Sequence, residues 1–331
     1  MVERKMGRIQ QIGDKIFLKK VFQDIRHINM IVMEEKYTHT SVMIKEVAEL
    51  LITDKGGIYL DGTIGMGGHA KKILEKLEPS GKLIGIDWDP EMLNIASNNL
   101  SEFSSQIKLI GGNFANLDEI LRKEGILHIS GLLLDLGVSS LHFDKPSRGF
   151  SFRKEGPLDM RINPANPLTA YTIINTWPYE QIEHLIRICG ERFSHKITKA
   201  IIEHRQNSEI KTTTELASVI EKAIPFKAKN TRSSHPATKT FLALRVAVNY
   251  EFDNLTKALQ KAIHVLAPGG RIAVITFHSL EDRIVKETFR FMAKMGGWKL
   301  VNKKPLSASE EEINSNPRAR SAKLRVIEKI K

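Results

Sequence analysis

The stretch Ile58-Tyr59-Leu60-Asp61-Gly62-Thr63-Ile64-Gly65-Met66-Gly67-Gly68-His69-Ala70, followed by Leu83-Ile84-Gly85-Ile86-Asp87, constrains this chain more than any other. A short apolar run, a glycine-rich turn, a helical pattern and a second apolar run closed by a carboxylate spell a βαβ unit of a nucleotide-binding sheet. The glycines allow the backbone to approach a ligand closely. Asp87 stands where a ribose would offer its two hydroxyls, so the pattern predicts an adenosine-bearing cofactor.

The composition of the loop narrows the choice. A G-x-G-x-x-G dinucleotide loop holds a pyrophosphate at a helix N-terminus, whereas this loop opens on an acid, Asp61, and reads D-G-x-x-G-x-G-G-H. A carboxylate there suits a ligand carrying an ammonium and a sulfonium rather than phosphates. S-adenosylmethionine is favoured over NAD, with Asp61 as a simple turn acid the competing reading.

Apolar runs alternate with helical patterns as a parallel sheet requires. Expected strands are 58–61, 83–87, 107–110, 131–135 and 271–277, with 298–302 and 323–328 as a closing pair. Ala70, Ile73, Leu74 and Leu77 form the buried stripe of the first crossover helix. Asp89-Pro90 supplies an N-cap and a first-turn proline for the next, with Leu93, Ala96 and Leu100 facing inward. Between Asp135 and Arg271 the order is interrupted by a mostly helical stretch. One stripe is Ile182, Leu185, Ile186 and Cys189; another is Leu216, Val219, Ile220 and Ala223 behind Thr212-x-x-Glu215, which reads as a capping box. Helical patterns continue with Phe241, Leu244 and Val248, then Leu255, Ala258, Leu259 and Ala262. The expected organisation is a doubly wound α/β domain with an inserted, mostly helical substrate domain over 143–236. The insertion follows the C-terminal end of the fourth strand, where open α/β sheets place ligands.

At 331 residues with 41% hydrophobic content, the chain can bury one large core or two smaller ones. Its net charge of +12 suits a polyanionic partner, though charge alone does not establish one. A single cysteine excludes an internal disulfide framework and a cysteine-rich zinc site, and points to a reducing compartment. No apolar run approaches the roughly 18 residues that a bilayer requires. The expectation is a cytoplasmic protein without a membrane partner.

Motifs along the chain resemble one family: Tyr37-Thr38-His39-Thr40-Ser41-Val42-Met43, the Asp61 to His69 loop, Leu133-Leu134-Asp135-Leu136-Gly137-Val138-Ser139-Ser140, Arg148-Gly149-Phe150-Ser151-Phe152, Gly156-Pro157-Leu158-Asp159-Met160-Arg161, His235-Pro236-Ala237-Thr238-Lys239-Thr240-Phe241, Phe277-His278-Ser279-Leu280-Glu281-Asp282-Arg283 and Asn316-Pro317-Arg318-Ala319-Arg320-Ser321. These are similar to the bacterial RsmH (MraW) family of 16S ribosomal RNA cytosine-N4 methyltransferases. The resemblance implies a class I S-adenosylmethionine-dependent methyltransferase fold with an inserted helical substrate-recognition domain. The implied acceptor is a cytidine of the decoding region. It further implies cofactor contacts at Gly67, Gly68, His69, Asp87, Phe114, Asp135 and His142. His142 departs from the pattern, because family members often carry glutamine there. The residues before Tyr37 lie outside the resemblance, which implies an N-terminal extension over 1–36 and a methyltransferase domain over 37–142 and 237–331. The implied partner is 16S rRNA or the small ribosomal subunit, with a homodimer left open.

The chemistry of the residues gives separate support for an amine acceptor. Carbon-5 methylation of cytosine needs a covalent nucleophile, normally cysteine, and the sole cysteine, Cys189, sits on an apolar helical stripe. Methylation of an exocyclic nitrogen needs only in-line placement of the amine. A carboxylate accepting a hydrogen bond from that amine would stabilise the positive charge growing on nitrogen. Asp135, ending the fourth strand, is the expected catalytic residue, with capping of the following turn its plainer alternative. Many amino-methyltransferases place Asp/Asn-Pro-Pro-Tyr/Phe at this strand end, whereas this chain has Asp-Leu-Gly-Val-Ser-Ser, so an aromatic to stack on the base must come from elsewhere. Phe150 and Phe152 are the candidates, and both are equally compatible with one packed face of a short strand. Arg148, Arg153, Arg161, Arg232, Lys239 and Arg245 are candidates for gripping phosphates, or else solvated charges. His278-Ser279-Leu280-Glu281-Asp282 is read as pocket wall rather than a metal cluster, and no metal is expected. Two other functions stay open: a methyltransferase for another amine acceptor, such as DNA cytosine or adenine, and a non-catalytic RNA-binding assembly factor.

Overall fold

The computed structural model describes residues 41–229 and 234–330. The expected extension over 1–36, the Tyr37 to Thr40 part of the first motif, and Arg232 lie outside the described residues. The chain forms α1 (Ile44–Leu51), β1 (Ile58–Asp61), α2 (Gly68–Leu74), β2 (Lys82–Asp87), α3 (Pro90–Asn99), β3 (Ile107–Gly111), α4 (Leu117–Lys123), β4 (Ile129–Asp135) and α5 (Ser140–Asp144). A helical run follows: α6 (Ala170–Thr176), α7 (Tyr179–Ile188), α8 (Ser194–Arg205), α9 (Thr213–Ala223), α10 (Phe226–Lys229) and α11 (Thr238–Asn249). The sheet resumes through α12 (Glu251–Val265), β5 (Leu266–Thr276), α13 (Ser279–Met295), β6 (Trp298–Leu300), β7 (Leu306–Ser307), α14 (Glu310–Ser315) and β8 (Lys323–Lys329).

The strands lie in the order β3-β2-β1-β4-β5-β8-β6, with β7 pairing on β8. The first five are parallel, and β8 runs antiparallel between β5 and β6. Strand order reverses between β1 and β4, which opens a crevice at the carboxyl ends of those strands.

Period-two alternation explains both faces of the sheet. Leu60, Ile84, Ile86, Leu132, Leu134, Ile272 and Val274 pack with Leu117, Leu255, Leu259, Val285 and Phe289 of α4, α12 and α13. Their neighbours Tyr59, Leu83, Leu133, Ala273 and Ile275 point the other way, into Val47, Leu51, Ile73 and Ala96 of α1, α2 and α3. Full burial of each large aliphatic side chain stabilises by about 1.5–3 kcal/mol. Asp282 on α13 meets Arg325 on β8 through two hydrogen bonds of 2.7 and 3.2 Å, which fastens the antiparallel strand to its covering helix.

The helical run has a core of its own. Ile173 and Ile174 (α6), Ile182 and Ile186 (α7), Ile197 and Ile201 (α8), and Leu216 and Ile220 (α9) are joined there by Phe241, Leu244 and Val248 of α11. This core therefore continues beyond residue 236. The expected capping box at Thr212 forms by half: Thr212 Oγ1 accepts the Glu215 N–H at 3.2 Å, but the Glu215 carboxylate accepts the Lys211 N–H at 2.8 Å. No helix among the described residues is long and apolar enough to cross a membrane.

Candidate active site

The site is built where β1, β2 and β4 end. After β1 the chain turns through Gly65 and Gly67, both with positive φ, and enters α2 with Gly67 as N-cap at φ 88°. A side chain at that φ would be strained. At Gly68 a Cβ would come within 2.1 Å of Ser41 Oγ, so the helix start must pass this close to the segment before α1.

Three titratable side chains meet on this turn. Asp61 is buried; its Oδ1 accepts the Thr63 N–H at 3.1 Å, while its Oδ2 has no hydrogen-bond partner. His69 Nε2 lies 3.4 Å from Asp135 Oδ2, within ion-pair range but without hydrogen-bond alignment. His69 Nδ1 and Asp135 Oδ1 are likewise buried and unsatisfied. Burial pushes the Asp61 carboxyl up to about 7 against the opposing pull of His69. For His69, burial disfavours the charged ring, but the Asp135 and Asp61 carboxylates outweigh it and hold the imidazole above its usual range. Unsatisfied buried polar groups call for a partner. A ligand bearing an ammonium and a sulfonium fits this acidic group, so the residues present suit S-adenosylmethionine.

Asp87, at the end of β2, has both carboxylate oxygens aimed by the backbone. Gly65 N–H donates to Oδ2 at 2.9 Å and Asp89 N–H donates to Oδ1 at 2.8 Å. Each oxygen keeps a lone pair for a further donor. Burial raises this carboxyl to about 6, offset in part by those two N–H groups. Beside it opens a pocket of about 260 Å³ lined by Asp87, Trp88, Pro90, Leu93, Gly111, Gly112 and Asn163. Phe114, half-buried, opens the turn after β3, where Asn113 Oδ1 accepts the Ala115 N–H. Thus Gly67 with Gly68 and His69 at the start of α2, Asp87 and Asp135 as the last residues of β2 and β4, and Phe114 in the turn after β3 all lie at the carboxyl ends of the strands.

His142 is placed differently. It is buried on α5, with Nε2 2.7 Å from Asp89 Oδ2 and its ring against Phe150. In the sequence Asp89 reads only as a helix cap; in the fold it also accepts from Arg148 Nη2 at 2.8 Å. This makes it the joint between α3 and the start of the helical segment. Burial works against its charge, but His142, the Glu91 N–H and Arg148 together hold the Asp89 carboxyl below its usual range. Its position two residues after Asp87 was the available signal.

The residues expected toward RNA divide sharply. The Arg148 guanidinium is turned inward, donating to Asp89, to Glu91 and to the carbonyls of Arg161 and Ile162. Arg161 forms a bidentate pair with Asp159 and donates to the carbonyls of Pro164 and Asn166. Both guanidinium groups are directed to partners within the protein, as is that of Arg245 to Glu251. Lys239 Nζ donates to Gly190 O, and Arg153 is exposed. Phe150 is a core residue at 5% exposure, whereas half-buried Phe152 stacks on His235 at 4.5 Å.

His278 caps α13 in a reciprocal box with Glu281, and Asp282 is committed to Arg325. Glu251, His278 and Glu281 bring ligand-type atoms within 4.8 Å of one another, but Arg245 already pairs with Glu251. Cys189 is buried in the helical core, and burial pushes its thiol up to about 11.

Five parallel strands with one antiparallel intruder form the sheet of a class I methyltransferase, and the acidic glycine loop hydrogen-bonded to the Asp87 carboxylate suits S-adenosylmethionine as its methyl donor. More particularly, the chain belongs to the MraW methylase family, whose pattern it matches over residues 36–330. It is 45% identical over 310 residues to a ribosomal RNA small subunit methyltransferase H of Caldicellulosiruptor bescii, covering 89% of this chain and 100% of that one. The protein of the same description from Clostridioides difficile is 43% identical over 311 residues, covering 89% and 100%. Among solved structures, a putative rRNA-methylase from Clostridium thermocellum aligns with a TM-score of 0.44 at 13% identity, covering 88% of this chain and 100% of that one.

Proposed function

We propose that this protein methylates the N4 amine of a cytidine in 16S ribosomal RNA of the small subunit, in the cytoplasm, by direct transfer. The observation that carries the reading is the bare, buried Asp135 Oδ1 at the end of β4, beside the acidic loop. When bound, S-adenosylmethionine supplies an electrophilic methyl group on a sulfonium. Asp135 Oδ1 accepts a hydrogen bond from the acceptor amine, directs the nitrogen lone pair and stabilises the charge that develops there. Asp87 receives the ribose hydroxyls, and Gly67, Gly68 and His69 form the floor under the amino-acid end. The buried Cys189 thiol, with its raised pKa, is unsuited to act as a carbon-5 nucleophile. Residues 143–236, together with α11, act as the acceptor-recognition layer over the carboxyl ends of the strands. Half-buried Phe152 is better suited than core Phe150 to meet a splayed base.

The test is to compare ribosomal RNA from cells with and without the gene and to map the modified nucleotide by mass analysis. Loss of N4-methylcytidine at a single 16S position is the expected result. Loss of 5-methylcytidine, or methylation of DNA by the purified protein in place of RNA, would overturn the reading.

A further inference from the structure

The loop over residues 161–166 belongs by sequence to the helical segment, yet it reaches the cofactor side of the sheet. Asn163 lines the same 260 Å³ pocket as Asp87, Trp88 and Leu93. Its Oδ1 accepts the Ala165 N–H at 2.9 Å, which fixes the carboxamide and leaves its NH₂ as a donor not used in the described hydrogen bonds. We propose that this loop is the outer wall of the adenosine half of the cofactor pocket, with the Asn163 carboxamide a binding residue for that moiety and Arg148 the positioning residue that holds the wall in place.

The loop is held at nearly every point, Asn163 Oδ1 included, and only the Asn163 NH₂ is left over among the described hydrogen bonds. Arg148 Nη2 donates to the carbonyls of Arg161 (3.1 Å) and Ile162 (2.9 Å) while also donating to Asp89 Oδ2 (2.8 Å). Asp89 in turn donates its N–H to the Asp87 carboxylate, so one guanidinium spans from the ribose-binding strand end to the loop. From the other side, Asn249 Oδ1 accepts the Ile162 N–H at 2.8 Å and Asn166 Nδ2 donates to Val248 O at 2.6 Å. Arg161 Nη1 donates across the loop to the carbonyls of Pro164 (2.7 Å) and Asn166 (3.0 Å). Entry to the loop passes through Met160, fully buried with φ 63°, a conformation that a bulky side chain adopts only when its surroundings force it. Strain and over-determination of this kind are expected of a segment that presents one side chain to a ligand. The NH₂ donor is matched by the acceptor nitrogens of a purine or the oxygens of its ribose, and the apolar faces of Trp88 and Leu93 by the ring itself.

The inference rests on the reading of Asp87 as the ribose acceptor, and the experiment separates the two. Binding of S-adenosylhomocysteine is measured by calorimetry for wild type, Asp87→Ala, Asn163→Ala and Arg148→Lys, with amide hydrogen exchange followed across residues 161–166. Asn163→Ala should weaken binding about three- to tenfold, the effect of one neutral hydrogen bond. Arg148→Lys should weaken binding and speed exchange in the loop, because a point charge cannot span the three acceptors. If Asp87→Ala weakens binding while Asn163→Ala matches wild type, the proposal fails and the ribose reading stands. If Asp87→Ala also binds as wild type, the ribose reading fails and takes the proposal with it. Unchanged loop exchange in a folded Arg148→Lys would remove the positioning role.

Discussion

The backbone N–H of Asp135 donates to Thr63 Oγ1 at 2.7 Å, so the end of β4 is fastened to the loop that follows β1. Thr63 also donates its own N–H to Asp61. One small side chain thus sets the separation between the acid that opens the glycine loop and the acid proposed to face the acceptor. Because the backbone makes the Asp135 contact, its side chain can be altered without loosening the strand end.

That independence makes the catalytic proposal testable. Asp135→Ala should fold normally and lose about 10²-fold or more in single-turnover methyl transfer at saturating cofactor. Cys189→Ser, which perturbs only packing in the helical core, should keep its chemical step. A folded Cys189→Ser protein with no turnover, or a trapped covalent adduct, would rule out direct transfer.

Asp87→Ala should weaken S-adenosylmethionine binding by one to two decades, the loss of charge-assisted hydrogen bonds of roughly 1.5–3 kcal/mol. Calorimetry at fixed pH gives the number directly. Wild-type affinity in the variant would move the ribose elsewhere.

Stability should depend on pH through Asp61. Its carboxyl titrates at about 7 in the folded protein against 3.8 unfolded, so the native state holds the extra proton between those values. The sign follows: this contribution is full below pH 3.8, falls as pH rises toward 7, and is flat above. Raised His69 acts in the same direction at higher pH. Asp61→Asn removes the Asp61 part of this dependence, so urea unfolding at pH 5 and pH 8 should show a smaller difference for the variant than for wild type. A steeper dependence in the variant would contradict the assignment.

The inward arginines should separate stability from RNA affinity. Arg148→Ala should lower unfolding stability by about 3 kcal/mol, since Asp89 loses a buried partner. The slope of log affinity for RNA against log salt should stay at its wild-type value for both Arg148→Ala and Arg161→Ala. A slope reduced by about 0.7 would show instead that a phosphate contact had been removed.

Much of the sheet was legible because most of its strands are short apolar runs closed by a polar or glycine residue. β1 is found at 58–61 as expected, and β2, β3 and β8 differ from expectation by one residue at an end. β7, two exposed residues paired to β8, has no periodicity to read. The glycine loop, Asp87 and Asp135 were legible for a local reason: backbone approach and strand-end carboxylates are properties of neighbouring residues. The hub at Asp89 was not. Its partners His142 and Arg148 lie far along the chain, and nothing in either segment distinguishes an arginine that grips a phosphate from one that closes a fold. The same holds for Phe150, whose aromatic character suits both a base platform and a core.

The continuity of α11 with α12 has a consequence for modularity. Phe241, Leu244 and Val248 fill the helical core, yet α11 runs directly into α12, whose Leu255 and Leu259 cover the sheet; a single left-handed residue, Tyr250 at φ 53°, separates them. A shortened chain lacking residues 143–236 would expose the apolar side of α11 to water beside an otherwise complete sheet. Such a protein should self-associate rather than survive as a minimal enzyme. The helical layer is therefore not a detachable cassette: its last wall is also the first stretch of the returning scaffold, and any lineage that lost the layer would have had to redesign that helix at the same time.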